Sequence, residues 1–95
     1  MAKNIHLFEM FGGALVSLED AKKLNSFIES GLKDKCKVLM IFKGIEIATQ
    51  SFWNITIGQL VKEHGIKFFL ENVDFVHMPD EDMLLFRECV VNANK

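Results

Sequence analysis

Gly44-Ile45-Glu46-Ile47-Ala48-Thr49-Gln50-Ser51-Phe52-Trp53-Asn54 decides how this chain folds. It follows the apolar run Val38-Leu39-Met40-Ile41-Phe42 and leads into Ile55-Thr56-Ile57-Gly58-Gln59-Leu60-Val61. Five apolar residues in a row predict a strand covered on both faces. Trp53, Ile57, Leu60, Val61 and His64 then recur at helical spacing, so a helix is expected over residues 49–64, closed by Gly65. The stretch therefore reads as strand, turn, helix start. Thr49, Gln50 and Ser51 sit where a helix exposes its first unpaired N–H groups.

Outward from that unit, Lys37–Phe42 is preceded by a helical pattern. Ser17 is an N-cap, Glu19 and Asp20 suit the positive end of the dipole, and Ala21, Leu24, Phe27, Ile28 and Leu32 form the apolar stripe, with Gly31 as its stop. Before it, residues 4–11 alternate as a strand, Gly12-Gly13 signals a turn, and Ala14-Leu15-Val16 returns as a second strand, which predicts a hairpin. After Gly65, Ile66 to Leu70 reads as a third buried strand, and residues 71–78 as a connection whose Val73, Phe75 and Val76 extend the sheet or pack beneath it. Pro79-Asp80-Glu81-Asp82 opens the last helix, with Met83, Leu84, Phe86, Val90 and Val91 as its buried face and Asn92 to Lys95 fraying. The expected fold is a single α/β domain over residues 1–95. It has a mixed sheet of about four strands with an N-terminal hairpin, packed with about three helices and with parallel strands joined by right-handed crossovers.

Composition narrows the function classes. Apolar residues make up 49% of the 95-residue chain, enough for one core and too many for disorder. A net charge of −2 gives no basic footprint, so no nucleic acid partner is expected. No apolar run approaches a membrane span, and Met1 to His6 is no signal peptide. Cys36 and Cys89 form no CxxC pair and His6, His64 and His77 are scattered, so neither a metal nor another cofactor is signalled; reduced thiols suit a cytoplasmic protein. Asp80-Glu81-Asp82 lacks the alternating ligands of a calcium loop and reads as a solvated first turn.

Ser51 is the residue with two readings. At a helix start it is either a cap, a role Thr49 also fits, or a hydroxyl placed where a phosphate is favoured. A nucleophilic serine needs a base, and neither His64 nor His77 stands in a triad context, so an enzyme is not expected. His64 reads as a cation closing its helix. Phe52 and Trp53 are adjacent and point to different sides of the helix: both pack in the core, or one anchors a partner.

Lys43 to Phe52, with Gly44, Ile45, Ala48, Thr49, Ser51 and Phe52 as its core, followed by a helix and Gly65, resembles the STAS domain of anti-sigma-factor antagonists. More narrowly it is similar to a short, uncharacterised bacterial STAS-like family. Gly13, Leu15, Val16, Ser17, Ala21 and Leu24 fit the entry strand and first helix, and the resemblance covers roughly residues 12–90. It implies a regulatory module that binds a histidine-kinase-like ATPase and is phosphorylated on the serine at this helix start, here Ser51. The Asp-Ser-Ser run of the better-known antagonists is Thr49-Gln50-Ser51 in this chain, and the glycine-leucine that follows is Phe52-Trp53. The expected partner-binding residues are Thr49, Gln50, Ser51, Phe52, Trp53 and Asn54. The alternatives are a homo-oligomeric assembly protein built on Phe52, Trp53 and an edge strand, and a small-ligand or nucleotide binder that uses the Ser51 helix end.

Overall fold

The structure, a computed structural model, describes residues 2–93; Met1, Asn94 and Lys95 lie outside the described residues, and with them the last two positions of the expected frayed end. In chain order the elements are β1 (Ala2–His6), α1 (Leu7–Phe11), β2 (Ala14–Leu15), α2 (Leu18–Lys33), β3 (Lys37–Ile41), β4 (Ile47–Ala48), α3 (residues 50–64), α4 (Ile66–Asn72), β5 (Val73–Val76) and α5 (Asp80–Ala93). β3 is the middle of a parallel sheet ordered β1-β3-β5, and β2 pairs with β4 in a second, two-stranded parallel sheet.

Register explains which face is buried. Ile5, Met40 and Phe75 stand side by side, as do Lys3, Val38 and Val73, and this face packs against the helices. The opposite face carries Asn4, Leu39 and Asp74, then His6, Ile41 and Val76. Leu39 and Ile41 are only half-buried there, so β3 is covered fully on one side and partly on the other, not on both as its apolar run suggests.

The N-terminal hairpin does not form. Leu7 is buried by turning the chain into α1, which ends at Gly12 with an N–H bond back to the Phe8 carbonyl at 2.8 Å. Gly13 instead accepts the N–H groups of Glu46 and Ile47 at 2.8 and 3.2 Å, which lays β2 parallel to β4. Pairing β1 with β3 puts Ile5 beside Met40 in the core, an apolar match that a local hairpin forgoes. The sheets are therefore both parallel, and the described residues form five strands and five helices rather than about four and three.

The second correction lies at residues 66–70, which form α4 and not a strand. Gly65 adopts φ +87°, a backbone that L side chains rarely take, and there α3 stops and the chain enters a new helix at once. Phe69 alone of α4 is buried, and Phe68 and Leu70 are exposed. The sheet edge is taken by Val73–Val76, whose alternation matches residues 38–41 of β3.

α2 is capped as expected: the Asp20 N–H donates to Ser17 Oγ at 3.3 Å. Ala21, Leu24, Ile28 and Leu32 are buried, but Phe27 is exposed, with Lys3 Nζ 5.9 Å from its ring centre. Gly31 is no stop, since the helix continues to Lys33. In α5 the buried apolar residues are Phe86, Cys89 and Val90, while Met83, Leu84 and Val91, expected in the core, are exposed. Met83 and Val91 line an apolar groove of about 390 Å³ with Leu70, Phe75, Met78 and Phe86.

Gly31 is required by packing. A Cβ there would lie 2.9 Å from Val38 Cγ2 and 3.2 Å from Lys3 Cδ. Val38 is buried and β-branched, so it has little freedom to move aside. Gly31→Ala is expected to destabilise by about 1–2 kcal/mol in urea unfolding, the overpacking cost exceeding the ~1 kcal/mol gained in helix propensity. A stabilised variant would show that α2 does not press on β3 at this point.

Candidate functional site

α3 has three parts: Gln50–Trp53, a π-helical turn at Asn54–Gly58, and Gln59–His64. Thr49, not Ser51, is its cap. Its backbone is extended, its Oγ1 accepts the Phe52 N–H at 3.2 Å, and its carbonyl accepts the first main-chain bond, from Trp53, at 3.3 Å. Thr49 donates its own N–H to the Leu15 carbonyl at 3.1 Å, so β2 fixes the point where the helix begins.

This leaves Ser51 as the second helical residue, exposed, with a side chain that makes no hydrogen bond among the described residues. The Gln50 and Ser51 N–H groups precede the first main-chain bond and face outward with the positive end of the dipole. Gln50 is partly engaged: its Nε2 donates to Glu88 Oε2 at 3.2 Å, and its carbonyl accepts from Cys89 Sγ at 3.8 Å. The start of α3 is thereby tied to α5.

Phe52 and Trp53 are the correction to the expected partner-binding set. They are 1% and 0% exposed and cannot reach a partner. Trp53 meets Phe52 edge-on at 5.2 Å and Phe42 at 5.6 Å. Of the six residues Thr49 to Asn54, Gln50, Ser51 and Asn54 are exposed and Thr49 is half-buried. Three apolar side chains on other elements, Val16 just after β2, Leu18 at the start of α2 and Ile47 on β4, are each at least half exposed. Sequence reasoning missed these three. The signal was the alternation at β4, where Ala48 faces the core and Ile47 faces out, and the placement of Leu18 at the first residue of α2.

The π turn holds α3 against α2. Thr56 is fully buried and donates from Oγ1 to the Ala21 carbonyl at 3.1 Å, and its own carbonyl accepts from Asn25 Nδ2 at 2.9 Å. Both bonds cross between helices. They satisfy polar groups that would otherwise be costly to bury.

A second depression, of about 400 Å³, lies at the carboxyl ends of β1 and β3, where open α/β sheets commonly hold ligands. His6, Phe8, Glu9, Lys43 and His77 line it. Gly44 borders it at φ +93°, with the Phe8 ring 2.9 Å from where a Cβ would stand. His64 lies elsewhere, thirteen residues beyond Ser51 and so about 20 Å along the helix.

Two titrating groups are shifted. Asp82 is buried in the first turn of α5, and burial, with Glu81 adding, raises its carboxyl above the usual range. Burial and then Glu88 push the Cys89 thiol up to about 11. Cys36 is half-buried, with Sγ 3.7 Å from the Asp34 carbonyl. Iodoacetamide at neutral pH is expected to alkylate Cys36 in the folded protein and to spare Cys89, which reacts only after unfolding, as mass spectrometry of the peptides reads. Equal labelling of both thiols in the native state would contradict the seal of α5 against α3.

Comparison with known proteins adds one finding. The family described as a STAS-like domain of unknown function (DUF4325) matches residues 20–83, from the first turn of α2 into the first turn of α5. No curated protein and no solved structure matches the chain.

Proposed function

Because the chain belongs to the STAS-like family of unknown function, we propose that it is a regulatory protein-binding module, similar in role to anti-sigma-factor antagonists and not an enzyme. Its docking surface is the exposed rim of α3, Gln50, Ser51 and Asn54, bordered by Val16, Leu18 and Ile47. Its partner is a histidine-kinase-like ATPase in the cytoplasm, and Ser51 is the residue that the partner phosphorylates.

One observation carries this reading. Ser51 is an exposed hydroxyl without a hydrogen bond among the described residues, in the first turn of a helix whose following residues, Phe52 and Trp53, are sealed in the core. A phosphate there adds about −1.5 to −2 charges. The helix dipole favours a negative charge at its start, so the fold tolerates the modification. A partner seated on Val16, Leu18 and Ile47 has to bury that charge, which is unfavourable unless it is paired. Phosphorylation then releases the partner and leaves the domain folded.

A second reading, a homo-oligomer, no longer rests on Phe52 and Trp53. The observation in its favour is the apolar groove between α4, β5 and α5, which is open to a second copy.

Pull-down from the native cell with wild type, Ser51→Asp and Ile47→Glu tests the docking surface, with light scattering of each protein alongside. Expected is a common partner retained by wild type and weakened at least about tenfold in both variants. Ser51→Asp should keep its Tm within about 4 °C, since exposed substitutions stay within roughly 0.5 kcal/mol. Identical partner sets for wild type and Ser51→Asp, or a stable oligomer and no other partner, would overturn the switch.

A further inference from the structure

Glu29, on α2, and Glu63 and His64, in the last turn of α3, bring their ligand atoms within 4.8 Å of one another. We propose that these three residues form a divalent transition-metal site that clips the end of α3 to α2, and that zinc is the ion it fits. The site goes beyond the docking reading and does not depend on it.

The geometry is close to what the ion requires. His64 Nε2 stands 2.9 and 3.1 Å from the two Glu29 carboxylate oxygens. A tetrahedral zinc with bonds of about 2.0–2.1 Å holds its donor atoms about 3.3 Å apart. The Glu29 and His64 side chains need to part by only a few tenths of an ångström to admit the ion between them. The imidazole is presented by stacking on Phe68, ring centres 5.2 Å apart and planes inclined by 27°. Three protein ligands leave the fourth position to water or to a group from outside.

Chemistry selects the ion class. An imidazole with two carboxylates favours zinc and its neighbours over magnesium and calcium, which take oxygen ligands throughout. An ion pair between a protonated His64 and Glu29 explains two of the three residues. It leaves the exposed Glu63 without a hydrogen bond or salt bridge among the described residues, its carboxylate within 4.8 Å of the Glu29 and His64 ligand atoms. Two carboxylates placed together repel, and a cation between them removes that repulsion. A bound ion therefore accounts for all three side chains.

The test is calorimetric titration of the tag-free, chelator-treated chain with zinc chloride, and with magnesium chloride as the contrast. One zinc ion per chain is expected, with no heat from magnesium. Glu63→Gln and Glu29→Gln each weaken zinc about 10- to 100-fold, and His64→Ala by at least as much. Glu63 is exposed, so its variant should fold as wild type does, and circular dichroism checks this. A His6→Ala/His77→Ala/Cys36→Ser variant keeps the wild-type affinity, because those residues lie outside the cluster. Absence of zinc uptake overturns the site. So does binding that survives Glu63→Gln unchanged, which would remove Glu63 from the ligand set, and so does binding lost in the triple variant, which would place the ion elsewhere.

Discussion

Phe52 and Trp53 are neighbours in a helix, about 100° apart around its axis, and both are shut off from solvent. That is possible only if α3 is enclosed on two flanks. α2 covers one through Thr56, Ala21 and Asn25, and α5 covers the other through Glu88 and Cys89. The helix is therefore the middle of its layer, and its residues are chosen for that place. Thr56, Ile57, Gly58, Leu60 and Val61 continue the buried surface. The π turn widens the helix at Asn54–Gly58 and resets the face on which Leu60 and Val61 emerge. Large aromatic side chains such as Phe42, Phe52 and Trp53 each bury roughly 150–250 Å² and dominate a core of this size. One polar atom, Trp53 Nε1, has no partner among the described residues in that interior.

The same enclosure places the candidate site. With both flanks covered, α3 keeps a narrow solvent-facing stripe, Gln50, Ser51, Asn54, Gln59, Lys62 and Glu63, and the candidate groups lie at the two ends of that stripe. At one end Thr49 caps the first turn and Ser51 is exposed, its side chain without a hydrogen bond among the described residues. At the other, Glu63 and His64 reach Glu29 on α2. The first end suits an anion by its dipole and the second carries the carboxylates that suit a cation, so the two ends of α3 have opposite chemistry.

Local signals in the sequence were legible where local chemistry decides. The Ser17 cap, the strand at Lys37, the helix from Thr49 and its end at Gly65 all follow from neighbouring residues and are found in the structure. The STAS-like family was legible too, because its core residues are contiguous from Gly44 to Phe52.

What failed depended on distant partners. Gly12-Gly13 looks like a hairpin turn, but β1 is claimed by β3, more than thirty residues away. Ile66 to Leu70 is a short apolar run whose length suits a strand or a helix, and the sheet edge it would have filled belongs to Val73–Val76. The fate of Phe52 and Trp53 stayed open because two adjacent aromatics reveal nothing about what flanks their helix. Glu29 and His64 are separated by thirty-five residues, so no spacing rule brings them together.

Residue-resolved hydrogen exchange is the most direct test of an α3 enclosed on both flanks. The account predicts that amides from Ile57 to Val61 exchange only through global unfolding, with protection equal to the slowest amides of β3, while Gln50 and Ser51 exchange quickly. Exchange of Ile57 to Val61 by local opening, independent of β3, would contradict it and place α3 at the surface of the fold rather than at its centre.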